Sequence, residues 1–319
     1  MVSVYCPTYN HKKYLSRCLD SIVAQKTSFP FEIIVRDDAS TDGTSDIIKA
    51  YQAQFPDRIV PLILSENHFS QGLSLVAFEK AFRLMRGKYI AVCEGDDFWT
   101  DENKLQKQVD FMESHPDHSL CGHASFCADE NGTFIKDKFF RPKQESCDLT
   151  MEEIIGSWSM PTCSLFYRKS CRTDIIIPFQ GDCINGDYAQ MVYFALKGKV
   201  YYLDEPMGAY RISSSGSISQ RIRKDPAYLK KIRLQFAGML DRINDYTDGQ
   251  YAGLLLKMKQ LTMFHLYLHL GEKDNVRNYR EALKYVGWKT KIRYCICLYC
   301  HPVYMTIDNL YQKIKGASS

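Results

Sequence analysis

An apolar run, Tyr89-Ile-Ala-Val-Cys93, passes without a spacer into Glu94-Gly-Asp96-Asp97-Phe-Trp99. Its length and β-branched content are those of a buried strand, and strands buried on both faces belong to parallel sheets covered by helices. In open sheets of that kind ligands bind just beyond the carboxyl ends of the strands, so this strand delivers two or three carboxylates to that edge. Adjacent carboxylates repel one another unless a cation or bound donors compensate. Hard oxygen ligands of this type suit Mg2+ or Mn2+ bridging to a diphosphate. The same residues also fit a strand end followed by an Asp-rich helix cap, because Thr100, Asp101 and Glu102 open a helical pattern through Leu105, Val109 and Met112. The acidic pair alone does not choose between these readings; the rest of the chain has to.

Val2 to Cys6 reads as a short strand closed by Pro7, Thr8, Tyr9 and Asn10, and helical spacing follows at Leu15, Leu19, Ile22 and Val23. Glu32 to Arg36 reads as a second strand ending in Asp37-Asp38, which turns through Ala39 to Thr44 into a helix carrying Ile47, Ile48 and Tyr51. A third strand, Ile59 to Leu64, a polar loop, Asn67 to Gly72, and a helix, Leu75 to Met85, lead to the Tyr89 strand. This alternation predicts a mostly parallel sheet with right-handed crossovers. No Gly-x-Gly-x-x-Gly follows the first strand and no Gly-x-x-x-x-Gly-Lys occurs, which argues against dinucleotide and P-loop sites. Thr8, Tyr9 and Asp38 stand there instead. Such groups can hydrogen-bond and stack on a nucleobase, although the residue types around them also serve simple turns.

In order and spacing, Val2-Ser-Val-Tyr-Cys-Pro-Thr-Tyr-Asn10, Glu32-Ile-Ile-Val-Arg-Asp-Asp-Ala-Ser-Thr-Asp-Gly-Thr44 and Glu94-Gly-Asp-Asp-Phe-Trp99 resemble the three blocks of the family-2 inverting glycosyltransferases of GT-A fold. Matched residue by residue, the resemblance implies Pro7, Thr8, Tyr9 and Asp38 at the nucleoside of a sugar nucleotide, a uridine one. It implies Asp96 near the ribose or sugar and Asp97 on a divalent metal, Mg2+ or Mn2+. Met160-Pro-Thr-Cys-Ser-Leu-Phe-Tyr-Arg168 is similar to the strand after the metal motif, and a structural role there and a diphosphate contact are both open. Asp187 stands where a helix N-cap belongs, ahead of Met191, Val192 and Ala195 and a terminal Gly198. The family has an acid at the start of this helix, and Asp204-Glu-Pro-Met-Gly-Ala-Tyr210-Arg211 is similar to the block that follows. The resemblance therefore implies Asp187 as general base, taking the proton of an acceptor hydroxyl as it attacks opposite the leaving diphosphate. The family often carries a histidine two positions beyond this block, where this chain has Ser213, in a Ser-rich loop to Gln220.

Charge divides the chain. Residues 220–319 hold 18 Lys plus Arg against 8 Asp plus Glu, about +10; subtracted from the totals of 41 and 37, this leaves 23 against 29, about −6, for residues 1–219. The reading is accordingly an α/β, Rossmann-like GT-A domain over 1–219, binding the donor and catalysing transfer, and a basic helical extension over 220–319. In the extension Asp225-Pro226 caps a helix with Leu229, Ile232, Phe236, Met239 and Ile243 on one face. Further helices are expected over Leu254 to Leu270 and Val276 to Val286, each closed by a glycine. From Trp288 on, Lys289, Lys291, Arg293, Lys313 and Lys315 interleave with Ile292, Tyr294, Ile296, Tyr299, Tyr304 and Ile307. That pattern suits an anionic membrane surface or a face packed on the preceding helices; nucleic acid is not the expected partner.

No apolar stretch approaches the ~20 residues of a membrane span and the first residues read as a strand rather than a signal peptide, so a cytoplasmic chain, peripheral on the inner face of the membrane at most, is expected. Twelve cysteines scattered through apolar runs predict reduced, buried thiols. The expected activity is transfer of a sugar to a hydroxyl of a glycan or lipid-linked glycan. A nucleotidyltransferase would use the same acids with Mg2+ but needs a basic loop on a triphosphate, which Thr8-Tyr9-Asn10 does not offer. A receiver-like signalling domain with Asp37-Asp38 as its acidic pocket would need its sheet to end by about residue 130.

Overall fold

The computed structural model describes residues 1–156, 160–212, 218–302 and 304. The chain separates into two compact units, one of Met1–Gln180 with Asn185–Gln220 and one of Gly181–Ile184 with Arg221–Ser319.

The first unit is built on β1 (Val2–Thr8), β2 (Phe31–Asp37), β3 (Ile59–Ile63) and β4 (Tyr89–Val92), which lie parallel in the order β3-β2-β1-β4. The connections are α1 (Leu15–Val23), α2 (Thr44–Gln54) and α3 (Ser74–Leu84). Alternation along the strands decides what each face does. Val2, Val4 and Cys6, Phe31, Ile33 and Val35, and Tyr89, Ala91 and Cys93 face one way and bury against Leu15, Cys18, Leu19 and Ile22 of α1. Each fully buried aliphatic side chain among them contributes about 1.5–3 kcal/mol. The register Val2↔Phe31 and Val2↔Tyr89 then brings Thr8, Asp37 and the acids after β4 to one edge.

Beyond β4 the sheet becomes mixed. The new elements are β5 (Phe98–Trp99), α4 (Lys104–Ser114), β6 (His118–Ala128), β7 (Phe134–Phe140), β8 (Cys147–Leu149), α5 (Met151–Gly156), β9 (Phe166–Arg168), α6 (Gly186–Ala195) and β10 (Lys199–Arg211); α7 (Ile218–Lys224) runs across the division between the two units. The order continues β4-β9-β6-β10-β5, with β9 antiparallel to both of its neighbours. The strand expected from Thr162 is shorter than its sequence suggests, because Thr162–Ser164 form a 3-10 turn. Side chains take its carbonyls: the Trp99 indole donates to Cys163 O at 3.0 Å and the Gln108 amide to Ser164 O at 3.1 Å. β10 is longer than expected, since its pairing with β6 skips from Leu203 to Gly208 and lets Asp204-Glu205-Pro206 bulge out of the ladder. A sheet that runs on to Arg211 rules out the receiver-like reading. So does Asp37, which is fully buried with both oxygens engaged by Ser40 and Ser45.

The second unit contains α8 (Pro226–Tyr246), α9 (Ala252–Leu270), α10 (Lys273–Arg277) and α11 (Trp288–Tyr299). Asp225 caps α8 by accepting from Tyr228 N at 3.0 Å, and Gly271 ends α9 with φ 68°. The helix expected over Val276 to Val286 is two pieces, α10 and a 3-10 turn at Arg280–Lys284, where Tyr279 stacks on Tyr267 between them. Tertiary contact overrides propensity there. All twelve thiols are free; Cys297 and Cys300, three apart, lie respectively inside and at the surface. Ser213, Ile307, Lys313 and Lys315 lie outside the described residues.

Lys104 is fully buried, with its ammonium 4.0 Å from the Trp99 ring centre and donating to Gln108 Oε1 at 2.7 Å. Burial pushes it down to about 8 from 10.5. Between those values the unfolded chain binds the extra proton, so the group's penalty is full below about pH 8 and is relieved as pH rises toward 10.5. Wild-type protein should therefore gain stability relative to Lys104→Met between about pH 7.5 and 10 in urea melts. A constant difference would mean that Lys104 meets water.

Candidate active site

Three elements meet at the carboxyl edge of the sheet. β4 runs into Glu94, Asp96 and Asp97; α6 brings Asp187 in its first turn; β10 ends in Tyr210 and Arg211. Asp187 is not the cap: α6 begins one residue earlier, with Asn185 at the cap position, and Asp187 Oδ1 accepts from Tyr188 N at 2.8 Å. Its carboxylate thus stands inside the first turn, at the end of a helix whose dipole favours an anion.

The charges of these groups act on one another. Burial first, then the charges of Asp96 and Asp187, push the Glu94 carboxyl up to about 8, against the opposing pull of Thr162 and Arg36. Burial, then Asp96 and Glu94, hold Asp97 well above the usual carboxylate range, partly offset by the Arg211 N–H. The Tyr210 phenol is raised by burial and then by Asp97, Glu94, Asp96 and Asp187, all four of the acids, so it keeps its proton.

The two adjacent aspartates differ in setting. Asp97 is 1% exposed, and its Oδ1 accepts from Arg211 N at 2.8 Å. Asp96 is only partly buried, and its carbonyl accepts from Arg211 Nε at 2.7 Å. Arg211 also donates to the carbonyls of Asp129 and Glu130, and its guanidinium lies 4.7 Å from the Tyr14 ring centre. It thereby fastens the acidic loop to β10 and to the turn after β6.

On the β1 side, Gly95 N donates to Pro7 O at 2.9 Å, and Asp38 N to Thr8 O at 3.0 Å. A Cβ on Gly95 would lie 2.7 Å from Thr8 Oγ1 and 2.9 Å from His11 Nδ1, so glycine is what lets the two loops close on each other. Thr8 Oγ1, His11 Nδ1 and Arg36 Nε are buried without a hydrogen-bond partner among the described residues. Unpaired buried donors and acceptors are costly, and several in one place fit a polar ligand that supplies the missing bonds. Tyr9 is 41% exposed, its ring presented at the surface of the cradle. Asp38 is buried, its oxygens accepting from His68 N at 3.3 Å and Phe69 N at 2.9 Å.

The structure therefore brings Pro7, Thr8, Asp96, Asp97 and Asp187 to one edge and ties Asp38 into the loop before α3. Sequence reading passed over His11 and Arg36, which carry no motif, and Glu94 in its electrostatic tie to Asp187. The acids fit a divalent cation. Mg2+ is usually held by one or two carboxylates with water and substrate phosphates rather than by an all-protein cage, and among the described residues no three acids, histidines or cysteines converge on one point.

Comparisons with known proteins give a family and a fold. The model of glycosyl transferase family 2 matches residues 3–174. An uncharacterized protein of Mycobacterium tuberculosis is 34% identical over 216 residues, 67% of this chain and 60% of the relative, so the chain spans less than two thirds of that relative's length. TuaG of Bacillus subtilis, whose name places it among glycosyltransferases of teichuronic acid biosynthesis, is 38% identical over 224 residues, 69% of this chain and 82% of TuaG. S. aureus TarS 1–349 in complex with UDP-GlcNAc has the same fold, with a TM-score of 0.54 at 19% identity over 89% of this chain and 91% of that one. The mannosyltransferase PcManGT of Pyrobaculum calidifontis, in complex with GDP-Man and Mn2+, gives 0.52 at 17% identity over 98% and 84%.

Gly95→Ala should test the cradle. The added methyl has to displace Thr8 or His11, so affinity for a uridine nucleotide should fall about tenfold or more in calorimetry, with a loss of about 1–3 kcal/mol in stability. Unchanged affinity would place the nucleotide elsewhere.

Proposed function

The chain belongs to glycosyl transferase family 2, and on that premise we propose that it is an inverting glycosyltransferase moving a sugar from a nucleoside-diphosphate donor, a uridine one, to a hydroxyl of a glycan or lipid-linked saccharide. The observation that carries this reading is the meeting of Asp187, Glu94, Asp96 and protonated Tyr210 at a sheet edge beside the unpaired polar atoms of Thr8 and His11. The complexes of TarS with UDP-GlcNAc and of PcManGT with GDP-Man and Mn2+ support a sugar-nucleotide donor and a metal. The name of TuaG supports a glycan product.

In this reading Pro7, Thr8 and His11 line the nucleoside cradle and Tyr9 offers its ring to the base. Asp38, whose oxygens hold the backbone of His68 and Phe69, shapes the base pocket. Asp187 takes the proton from the acceptor hydroxyl as that oxygen attacks the anomeric carbon, and in-line displacement inverts the configuration. Tyr210, kept protonated by burial and then by the acids around it, would offer its O–H as a donor in the same space. Asp97, whose Oδ2 is buried without a hydrogen-bond partner among the described residues, would hold Mg2+ or Mn2+ with Asp96 beside it, while its Oδ1 braces β10. When bound, the cation offsets the charge gathering on the departing diphosphate.

A screen of sugar nucleotides for thermal stabilisation, with and without Mn2+, tests the donor class, since a bound ligand raises apparent stability by mass action. Failure of every sugar nucleotide to stabilise the protein would remove the reading. Asp187→Asn should spare donor binding and lower turnover about 10²–10⁴-fold. Normal turnover in a slightly less stable protein would move the base elsewhere.

The metal assignment is tested by a pair of variants. Asp97→Asn keeps an acceptor for the Arg211 N–H and should abolish the Mn2+ dependence of UDP binding with the fold intact, whereas Asp96→Asn should retain that dependence. The reverse outcome in calorimetry would make Asp96 the ligand.

A further inference from the structure

Helix α11, opened by Trp288, has two unlike faces. One builds the core of the second unit. Cys297 is buried, Tyr294, Ile296 and Leu298 pack beside it against Met263, Phe264 and Leu268, and the Tyr304 hydroxyl just beyond the helix donates to Leu268 O. The other face is unused by that core. Trp288, Ile292 and Tyr299 are 67%, 50% and 80% exposed. With Cys295, also exposed, they fall at positions i, i+4, i+7 and i+11, which is one stripe along a helix about 18 Å long. Tyr285 extends the stripe at its start and carries Lys257 5.0 Å from its ring centre.

The charge beside the stripe has one sign. From Ala282 to Ile307 the sequence has no Asp or Glu, while Lys289 and Lys291 flank Trp288 and Ile292 and are both exposed. A matching partner must be apolar within and negative at its surface. A second copy of the helix would set lysine against lysine, whereas a bilayer with anionic headgroups meets both requirements: rings and aliphatics at the headgroup boundary, ammonium groups among the phosphates. Among the described residues no helix is long and apolar enough to cross a membrane, so the contact is one of lying on the surface.

We propose that α11 docks this protein on an anionic lipid surface through Trp288, Ile292 and Tyr299, with Lys289 and Lys291 on the headgroups. The inference stands on the helix and not on the transferase reading, and vesicles without sugar donor or acceptor separate the two. Full-length protein is floated with vesicles of phosphatidylcholine alone and of equal parts phosphatidylcholine and phosphatidylglycerol. Binding should need the anionic lipid, weaken with salt, and shift tryptophan emission to the blue, a shift lost in Trp288→Phe. Lys289→Glu/Lys291→Glu should lower the bound fraction at least about tenfold, and Trp288→Ser/Tyr299→Ser should lower it as far, with circular dichroism unchanged. Absence of binding at low salt, or binding that both double variants retain, overturns the proposal. So does a dimer in sedimentation equilibrium that Trp288→Ser/Tyr299→Ser dissociates, which would assign the stripe to a second copy.

Discussion

Like charges brought together out of water set the terms for the first unit. Glu94, Asp96, Asp97 and Asp187 share one edge, and the cost of ionising them there shows in the upward shifts of Glu94 and Asp97. A fold keeps such a cluster only if the surrounding structure holds it in place. Here the holding groups are mostly backbone and cation: the Arg211 N–H on Asp97, the Arg211 guanidinium on the loop carbonyls, and Gly95 N on Pro7 O. The core of β1, β2, β4 and α1 supplies the rigidity against which these bonds act.

Acids raised in energy in this way respond strongly to a cation. Burial first and neighbouring charge second raise Glu94 and Asp97; a divalent ion at the edge would offset the second, so that ion binding and carboxyl deprotonation would reinforce each other. The unpaired Thr8, His11 and Arg36 atoms pose the complementary problem, polar groups that lack a partner rather than charges that lack a counter-charge. A ligand with a polar base at one end and phosphates at the other meets both needs at once.

Much of this was legible in the sequence. Alternation of strand and helix gave β1 to β4 and their parallel direction, and the blocks singled out Thr8, Asp96 and Asp187, which lie at the carboxyl edge of the sheet. What lay hidden has physical causes. β6, His118–Ala128, is buried yet reads polar, because Ser119 donates to Phe194 O and His118 reaches Asp148, so its polar letters are satisfied inside the sheet. The shortness of β9 goes with a 3-10 turn whose Cys163 and Ser164 carbonyls are taken by side chains, which no periodicity records. His11 and Arg36 gain meaning only from what fails to meet them.

The Asp96-Asp97 pair shows most clearly where sequence stops. Two identical letters, adjacent in the chain, take different environments: Asp97 is buried and accepts from the end of β10, whereas Asp96 is only partly buried. A carboxylate that accepts a buried N–H is worth more to the fold as a fixed acceptor than as a free charge, and removing that acceptor would leave the Arg211 N–H unsatisfied. Asp97 therefore joins the loop after β4 to the end of β10 through one oxygen, while the other, Oδ2, is buried without a hydrogen-bond partner among the described residues.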